Sequence, residues 1–234
     1  MNIIITGASS GVGFEAVLEL ILNSNNHIIA LARSENKLKN LYDIAVALNP
    51  ECNLHIAKFD IVNDNYEIGL IPFVKEHLGS VDILINNAGT LINKPFEQLS
   101  QLDFVELLQS NLLGHIKMIQ NLLPLMKENT HIVNIGSMGG FQGSVKFPGL
   151  AAYSASKAAL HCLTECLAYE FAARKIKVNC LALGSAQTEM LETAFPGYQS
   201  PVMAFEMGKY IADFALTGHK FFNGKILPVA VSTP

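Results

Sequence analysis

Seven short apolar runs recur along the chain, "NIIIT", "HIIALA", "NLHIAKF", "VDILINN", "HIVNIGS", "IKVNCLAL" and "KILPVAV", separated by segments of helical length and period. Runs of this length, rich in isoleucine and valine, read as strands, and the segments between them as helices. Strands joined through helices pair in parallel by right-handed crossovers, and a parallel sheet is covered on both faces. The runs are accordingly apolar nearly throughout rather than alternating. The expected fold is α/β: a doubly wound, seven-stranded parallel sheet with helices on both faces.

At 234 residues the chain has room for one large domain and too little for a cofactor domain plus a separate substrate domain, so residues 1–234 are read as one domain. Two helical stretches stand out for length, residues 96–127, with a bend near Pro124, and residues 151–174. Both are apolar around more of their circumference than packing on a sheet requires. Hydrophobic residues reach 50% and charged residues only 15%, against about 25% charged in average proteins. These helices are the expected contacts of a homodimer or homotetramer. Residues 185–205, containing "LETAFPGYQSP", read as a loop or lid over a substrate.

A net charge of −4 leaves no basic patch for nucleic acid. The opening "MNIIITGASS" has no cationic segment, and its apolar run is too short for a signal core or a membrane span, so the expectation is a cytoplasmic protein with no membrane partner. Four cysteines without a CxxC pair read as reduced thiols. His161, Cys162 and Cys166 share a helix and read as packing residues, and no metal is expected.

The first strand runs into "TGASSGVG" and then into a helical segment. Glycines at 7, 11 and 13 permit a tight turn and close approach of a pyrophosphate, which the helix amino terminus would face with free N–H groups. At the end of the second strand Ala32 stands where an acid would bind the ribose hydroxyls of NAD, and Arg33 follows it. A guanidinium there attracts a 2′-phosphate, so NADP is favoured over NAD. In "LAAYSASKAALHCL", Tyr153 and Lys157 lie one helical turn apart, so a cation stands beside a phenol and can draw its pKa toward neutrality.

These stretches, with "NNAG" at residues 86–89, Asn111 within a helix and Ser137 in "NIGS", resemble the short-chain dehydrogenase/reductase family over essentially the whole chain. The resemblance implies a Rossmann-like fold, a nicotinamide cofactor, and hydride transfer to or from a small-molecule carbonyl or secondary alcohol. It implies that Gly7, Ser9, Ser10, Gly11, Val12 and Gly13 surround the cofactor phosphates, that Asp60 and Ile61 meet the adenine, and that Asn87, Ala88 and Gly89 line the adjacent ribose. Gly184, Ala186 and Thr188, in "LGSAQTEM", would lie along the nicotinamide, with Leu183 where the family carries a proline. Tyr153 would be the proton donor, with Lys157 lowering its pKa and binding the nicotinamide ribose. Ser137 would hold the carbonyl oxygen, and Asn111 would anchor a water leading from Lys157 to solvent.

The interval from Ser137 to Tyr153 is longer than the family's, and residues 143–149 are expected to reshape one wall of an apolar substrate site. Met138, Phe141, Phe147, Met190, Phe195 and Met203 are its expected lining. Two further readings stand beside a carbonyl reductase: a 3-oxoacyl thioester reductase, with Lys146 receiving a phosphopantetheine arm, and a non-catalytic NADP-binding sensor or scaffold.

Overall fold

In the computed structural model, which describes residues 1–231, each apolar run becomes a strand. These are β1 (Asn2–Thr6), β2 (His27–Ala32), β3 (Asn53–Lys58), β4 (Val81–Asn86), β5 (Met126–Ser137), β6 (Lys177–Leu183) and β7 (Ile226–Val229). They form one sheet in the order β3-β2-β1-β4-β5-β6-β7, and every pair is parallel. Chain order runs outward from β1 in one direction and from β4 in the other. The carboxyl ends of β1 and β4 therefore flank the point where the winding reverses, the place where such sheets bind ligands.

The helices are α1 (Gly11–Leu20), α2 (Glu35–Leu48), α3 (Ile71–His77), α4 (Gln101–Leu108), α5 (Gly114–Leu122), α6 (Ala151–Glu170), α7 (Glu189–Ala194) and α8 (Ala204–Thr217). Because side chains alternate along a strand, Ile3 and Ile5 join a core with Val17, Leu38 and Ile211 on one face, from α1, α2 and α8. Ile4 points the other way, into a core with Val74, Met118, Leu122 and Ala168 from α3, α5 and α6. Ile3, Ile4 and Ile5 are fully buried. Each such side chain stabilises the fold by about 1.5–3 kcal/mol.

The single helix expected over residues 96–127 is instead a chain of pieces. A 3-10 turn at Phe96–Gln98 precedes α4, a π turn at Gln109–Leu113 joins α4 to α5, and a second 3-10 turn at Leu123–Leu125 ends in β5 at Met126. Pro124 sits within that last turn, where it stops the helix rather than bending it. The second long helix ends at Glu170, followed by a 3-10 turn at Ala172–Arg174. Residues 185–205 are not all loop, since α7 forms within them, capped by the Thr188 hydroxyl. No helix among the described residues is long and apolar enough to cross a membrane.

Candidate active site

The loop from β1 to α1 turns through Gly7 and Gly11, both at positive φ (+67° and +59°), where a side chain is disfavoured. A Cβ on Gly7 would also stand 2.7 Å from the Ala88 Cα, so the loop and the end of β4 touch backbone to backbone. Thr6, absent from the sequence-based site, organises this contact: its hydroxyl accepts from the backbone N–H of Asn87 and of Ala88, each at 3.0 Å. The Asn87 amide donates to the carbonyls of Thr6 (3.0 Å) and Gly7 (3.1 Å), so this side chain braces the glycine loop. Ser10 caps α1 without a side-chain hydrogen bond, and the first turn, with Val12 and the buried Gly13, holds no acid. The α1 amino terminus, beside the partly buried Ser9, thus presents N–H groups free of a side-chain cap, which fits an anionic pyrophosphate.

At the end of β2, Ala32 is buried and Arg33 exposed, and Arg33 makes no hydrogen bond or ion pair among the described residues. Asp60 accepts from Val62 N (2.9 Å) and Asn63 Nδ2 (3.1 Å). Burial pushes its carboxyl upward, but those hydrogen bonds and the nearby Arg33 charge hold it below its ordinary value. Ile61 beside it is buried. Across the cleft, Thr188 Cγ2 is 3.4 Å from where a Gly11 side chain would begin, which closes the glycine loop from the far side. Gly184 N donates to Val229 O at 2.8 Å, and Ala186 packs into the core. Leu183 continues β6, paired with Ser137 on one side and Val229 on the other.

The residues expected at the reaction centre come together where α6 crosses the end of β5. Lys157 is buried, its Nζ donates to Ile135 O at 2.8 Å, and it stands 5.9 Å from the centroid of the Tyr153 ring. Burial pushes its ammonium down to about 8. Tyr153 keeps an accessible edge, yet burial raises its phenol above the ordinary value, while the Ser137 hydroxyl pulls the other way. In the protein alone burial dominates at the tyrosine, and the Lys157 ammonium is drawn to a carbonyl of the strand. Ser137 ends β5, its hydroxyl accepting from Gly139 N at 3.1 Å.

Asn111 is fully buried in the π turn between α4 and α5. Its Oδ1 accepts from Thr90 N (2.9 Å), and its Nδ2 donates to Thr90 O (3.0 Å) and Ser156 Oγ (3.0 Å). Asn111 thus clasps the segment beyond Gly89 to α6. π turns inside helices frequently mark functional sites, and this one rotates an asparagine inward.

Of the expected pocket lining, Met190, Met203 and Phe147 are exposed. A cavity of about 680 Å³ opens beside the first turns of α6, between Phe96, Phe147, Pro148, Leu150 and Ser154, and touches none of Ser137, Tyr153 and Lys157. Of the expected residues only Phe147 lines it. Residues 143–149 dock on the loop after β4, where Lys94 N donates to Gly149 O at 3.0 Å, and Asn93 ties that loop to α7 through Ala194 O at 2.7 Å. Lys146 donates to Phe141 O and Ser144 Oγ, each at 2.6 Å. Cys162 and Cys166, expected to pack, are exposed; all four cysteines are free thiols.

A glycine cradle at the switch point of a parallel sheet, facing a serine, a tyrosine and a buried lysine, defines an NAD(P)-dependent oxidoreductase acting on CH–OH or C=O groups. A family model described as short chain dehydrogenase matches residues 1–199, and the chain belongs to that family. An oxidoreductase of Botryotinia fuckeliana is 31% identical over 209 residues, 86% of this chain and 73% of its own length. An uncharacterized oxidoreductase of Staphylococcus epidermidis is 29% identical over 222 residues, 94% of this chain and 92% of that protein. The crystal structure of a dehydrogenase/reductase from Sinorhizobium meliloti superposes with a TM-score of 0.86 at 25% identity, covering 97% of this chain and 92% of that one.

Proposed function

We propose that the protein is an NADP-preferring reductase of small or medium ketones, or the corresponding alcohol dehydrogenase, working in the cytoplasm as a homodimer or homotetramer. The observation that carries the cofactor preference is Arg33: an exposed guanidinium without a protein partner among the described residues, at the end of β2, behind a buried alanine instead of an acid.

A nicotinamide held beside these residues would supply or take up the hydride. The Ser137 hydroxyl orients the carbonyl oxygen and stabilises charge as it develops there. Tyr153 Oη then delivers the proton, and its raised pKa keeps it protonated until an alkoxide forms beside it. Lys157 adds positive charge to this pocket, and Asn111 fixes α6 against the loop that carries Gly89. Gly7, Ser9, Ser10, Gly11, Val12 and Gly13 would hold the pyrophosphate, Arg33 the 2′-phosphate, and Asp60 and Ile61 would border the adenine. Asn87, Ala88 and Gly89 would border its ribose, with Gly184, Ala186 and Thr188 along the nicotinamide.

The test is paired titration with NADPH and NADH at one ionic strength, because salt screens the phosphate contact. Arg33→Ala weakens NADPH by about 1.5–3 kcal/mol and leaves NADH nearly unchanged. Ala32→Asp combined with Arg33→Ala inverts the preference by adding repulsion to lost attraction. A wild type that binds NADH as tightly as NADPH rejects the assignment.

A further inference from the structure

Helix α6 presents a third functional side chain on the face that carries Tyr153 and Lys157. His161 lies one further turn along, and the three meet three successive residues of β5. Tyr153 faces the Ser137 hydroxyl, Lys157 Nζ donates to Ile135 O, and the His161 ring lies over Gly136. Any side chain at Gly136 would collide with His161 Nε2 and would stand 2.6 Å from Cys180 Sγ, so the bare glycine is what admits the imidazole between β5 and α6.

Nε2 is buried without a hydrogen-bond partner among the described residues. Nδ1 faces the backbone of Gly140, in the Met138–Gly140 turn that follows Ser137, without a well-formed hydrogen bond among the described residues. This turn lies directly on the helix, since a Cβ on Gly140 would stand 2.6 Å from Ala158 N. Its Gly139 N–H is the donor to Ser137 Oγ, and the Phe141 ring beyond it meets the His161 ring edge-on at 6.5 Å. Helix, turn and strand end are thus joined through one imidazole.

We propose that His161 is a positioning residue of the reaction centre: its ring seats the Met138–Gly140 turn on α6 and so sets where the Ser137 hydroxyl stands relative to the Tyr153 phenol. The ring works in its neutral form. Burial pushes it down to about 4, and the Lys157 and Lys146 cations act in the same direction. From β6, the Cys180 thiol, which burial keeps protonated, is the titratable group beside Nε2. The inference rests on the reading of Ser137 and Tyr153 as the reacting pair, and is independent of cofactor preference.

Two variants test it. His161→Leu keeps the volume and removes the polar contact, whereas His161→Asn returns an N–H near the position of Nδ1. In His161→Leu, amide hydrogen exchange across residues 138–141 accelerates at least tenfold while exchange in the sheet is unchanged. With a ketone that the wild type reduces, kcat falls ten- to a hundredfold and KM for the nicotinamide cofactor is unchanged, the scale expected of a sub-ångström misplacement. His161→Asn restores both readouts and, having no ring to protonate, holds kcat to lower pH than the wild type does. A Leu variant with wild-type exchange and kcat overturns the proposal. So does one whose exchange rises throughout the sheet, since that marks a general role in the fold. Should the wild type reduce no carbonyl in a broad panel, the carbonyl reading fails, and exchange with its rescue by Asn still supports or overturns the role given to His161.

Discussion

Lys157 shows at a single residue how a buried charge opposes stability. Its ammonium is buried on one backbone carbonyl, with no carboxylate bonded to it among the described residues, so folding raises the free energy of the charged form. With the folded pKa near 8 and the unfolded value at 10.5, the unfolded chain holds this proton more tightly. The cost is fully present below about pH 8 and fades as pH rises toward 10.5. Lys157→Met therefore raises the stability of the cofactor-free protein at pH 7 by about 1–3 kcal/mol, a gain that shrinks by pH 10. Urea unfolding at the two pH values checks it; a destabilised variant at pH 7 rejects the account. Tyr153→Phe separates chemistry from binding: turnover drops about a hundred- to ten-thousandfold while nicotinamide affinity holds, as measured by single-turnover kinetics and direct titration.

Among the elements, α6 carries two jobs on opposite faces. Inward it presents Tyr153, Lys157 and His161; outward it exposes Ala151, Ala155, Ala158, Cys162 and Cys166, small residues that let another backbone come close. Leu102, Val105 and Leu108 of α4 and Leu113 beyond it are exposed as well. Ala155→Arg places a charge in that outer face, so light scattering is expected to show the proposed oligomer reduced to a 25.4 kDa chain with unchanged helical circular dichroism. A wild type already monomeric at micromolar concentration removes the basis for this prediction. The strands were legible because a buried parallel strand is apolar end to end, and the glycine loop because strand, turn and helix follow one another directly. The π turn at Asn111 was not, because the extra residue it inserts leaves the apolar pattern on either side intact. The start of α4 did carry a signal, Ser100 with Asp103 three residues on, which cap it reciprocally. Thr6 reads in the sequence only as the last residue of a strand, although a hydroxyl directly before a glycine turn can bind loop N–H groups. His161 reads as packing, and only the contact with Gly136 distinguishes its place from ordinary core.

For the molecule as a whole, three buried histidines set the acid limit of stability. His115 on α5 and His161 on α6 lie on one face of the sheet. His131 in β5 faces α8, with Nδ1 2.9 Å from Ala215 O and Nε2 3.1 Å from the Asn179 amide. Burial is the leading cause in each case, and it holds His115 at about 3 and His131 and His161 at about 4. All three are neutral in the folded protein at pH 7, and near the ordinary value of 6.5 they charge only if the chain unfolds. Stability is therefore fully present above about pH 6.5 and is lost as pH falls toward 4, the slope reaching about 1.4 kcal/mol per pH unit for each histidine. Between pH 7 and pH 5 each removes about 2 kcal/mol, and the three together roughly 6, a large part of the stability of an ordinary domain. His115 isolates one share: both its ring nitrogens are buried without a well-formed hydrogen bond among the described residues, and the backbone of Ala88 is the polar group that faces them. An apolar residue there gives up no well-formed hydrogen bond and leaves nothing to protonate. The expected outcome for His115→Leu, followed by urea unfolding at equal protein concentration, is a pH 7 to pH 5 loss smaller than that of the wild type by about 2 kcal/mol. Equal losses in the two proteins would mean that His115 takes its proton without unfolding, and that the acid limit lies elsewhere in the chain.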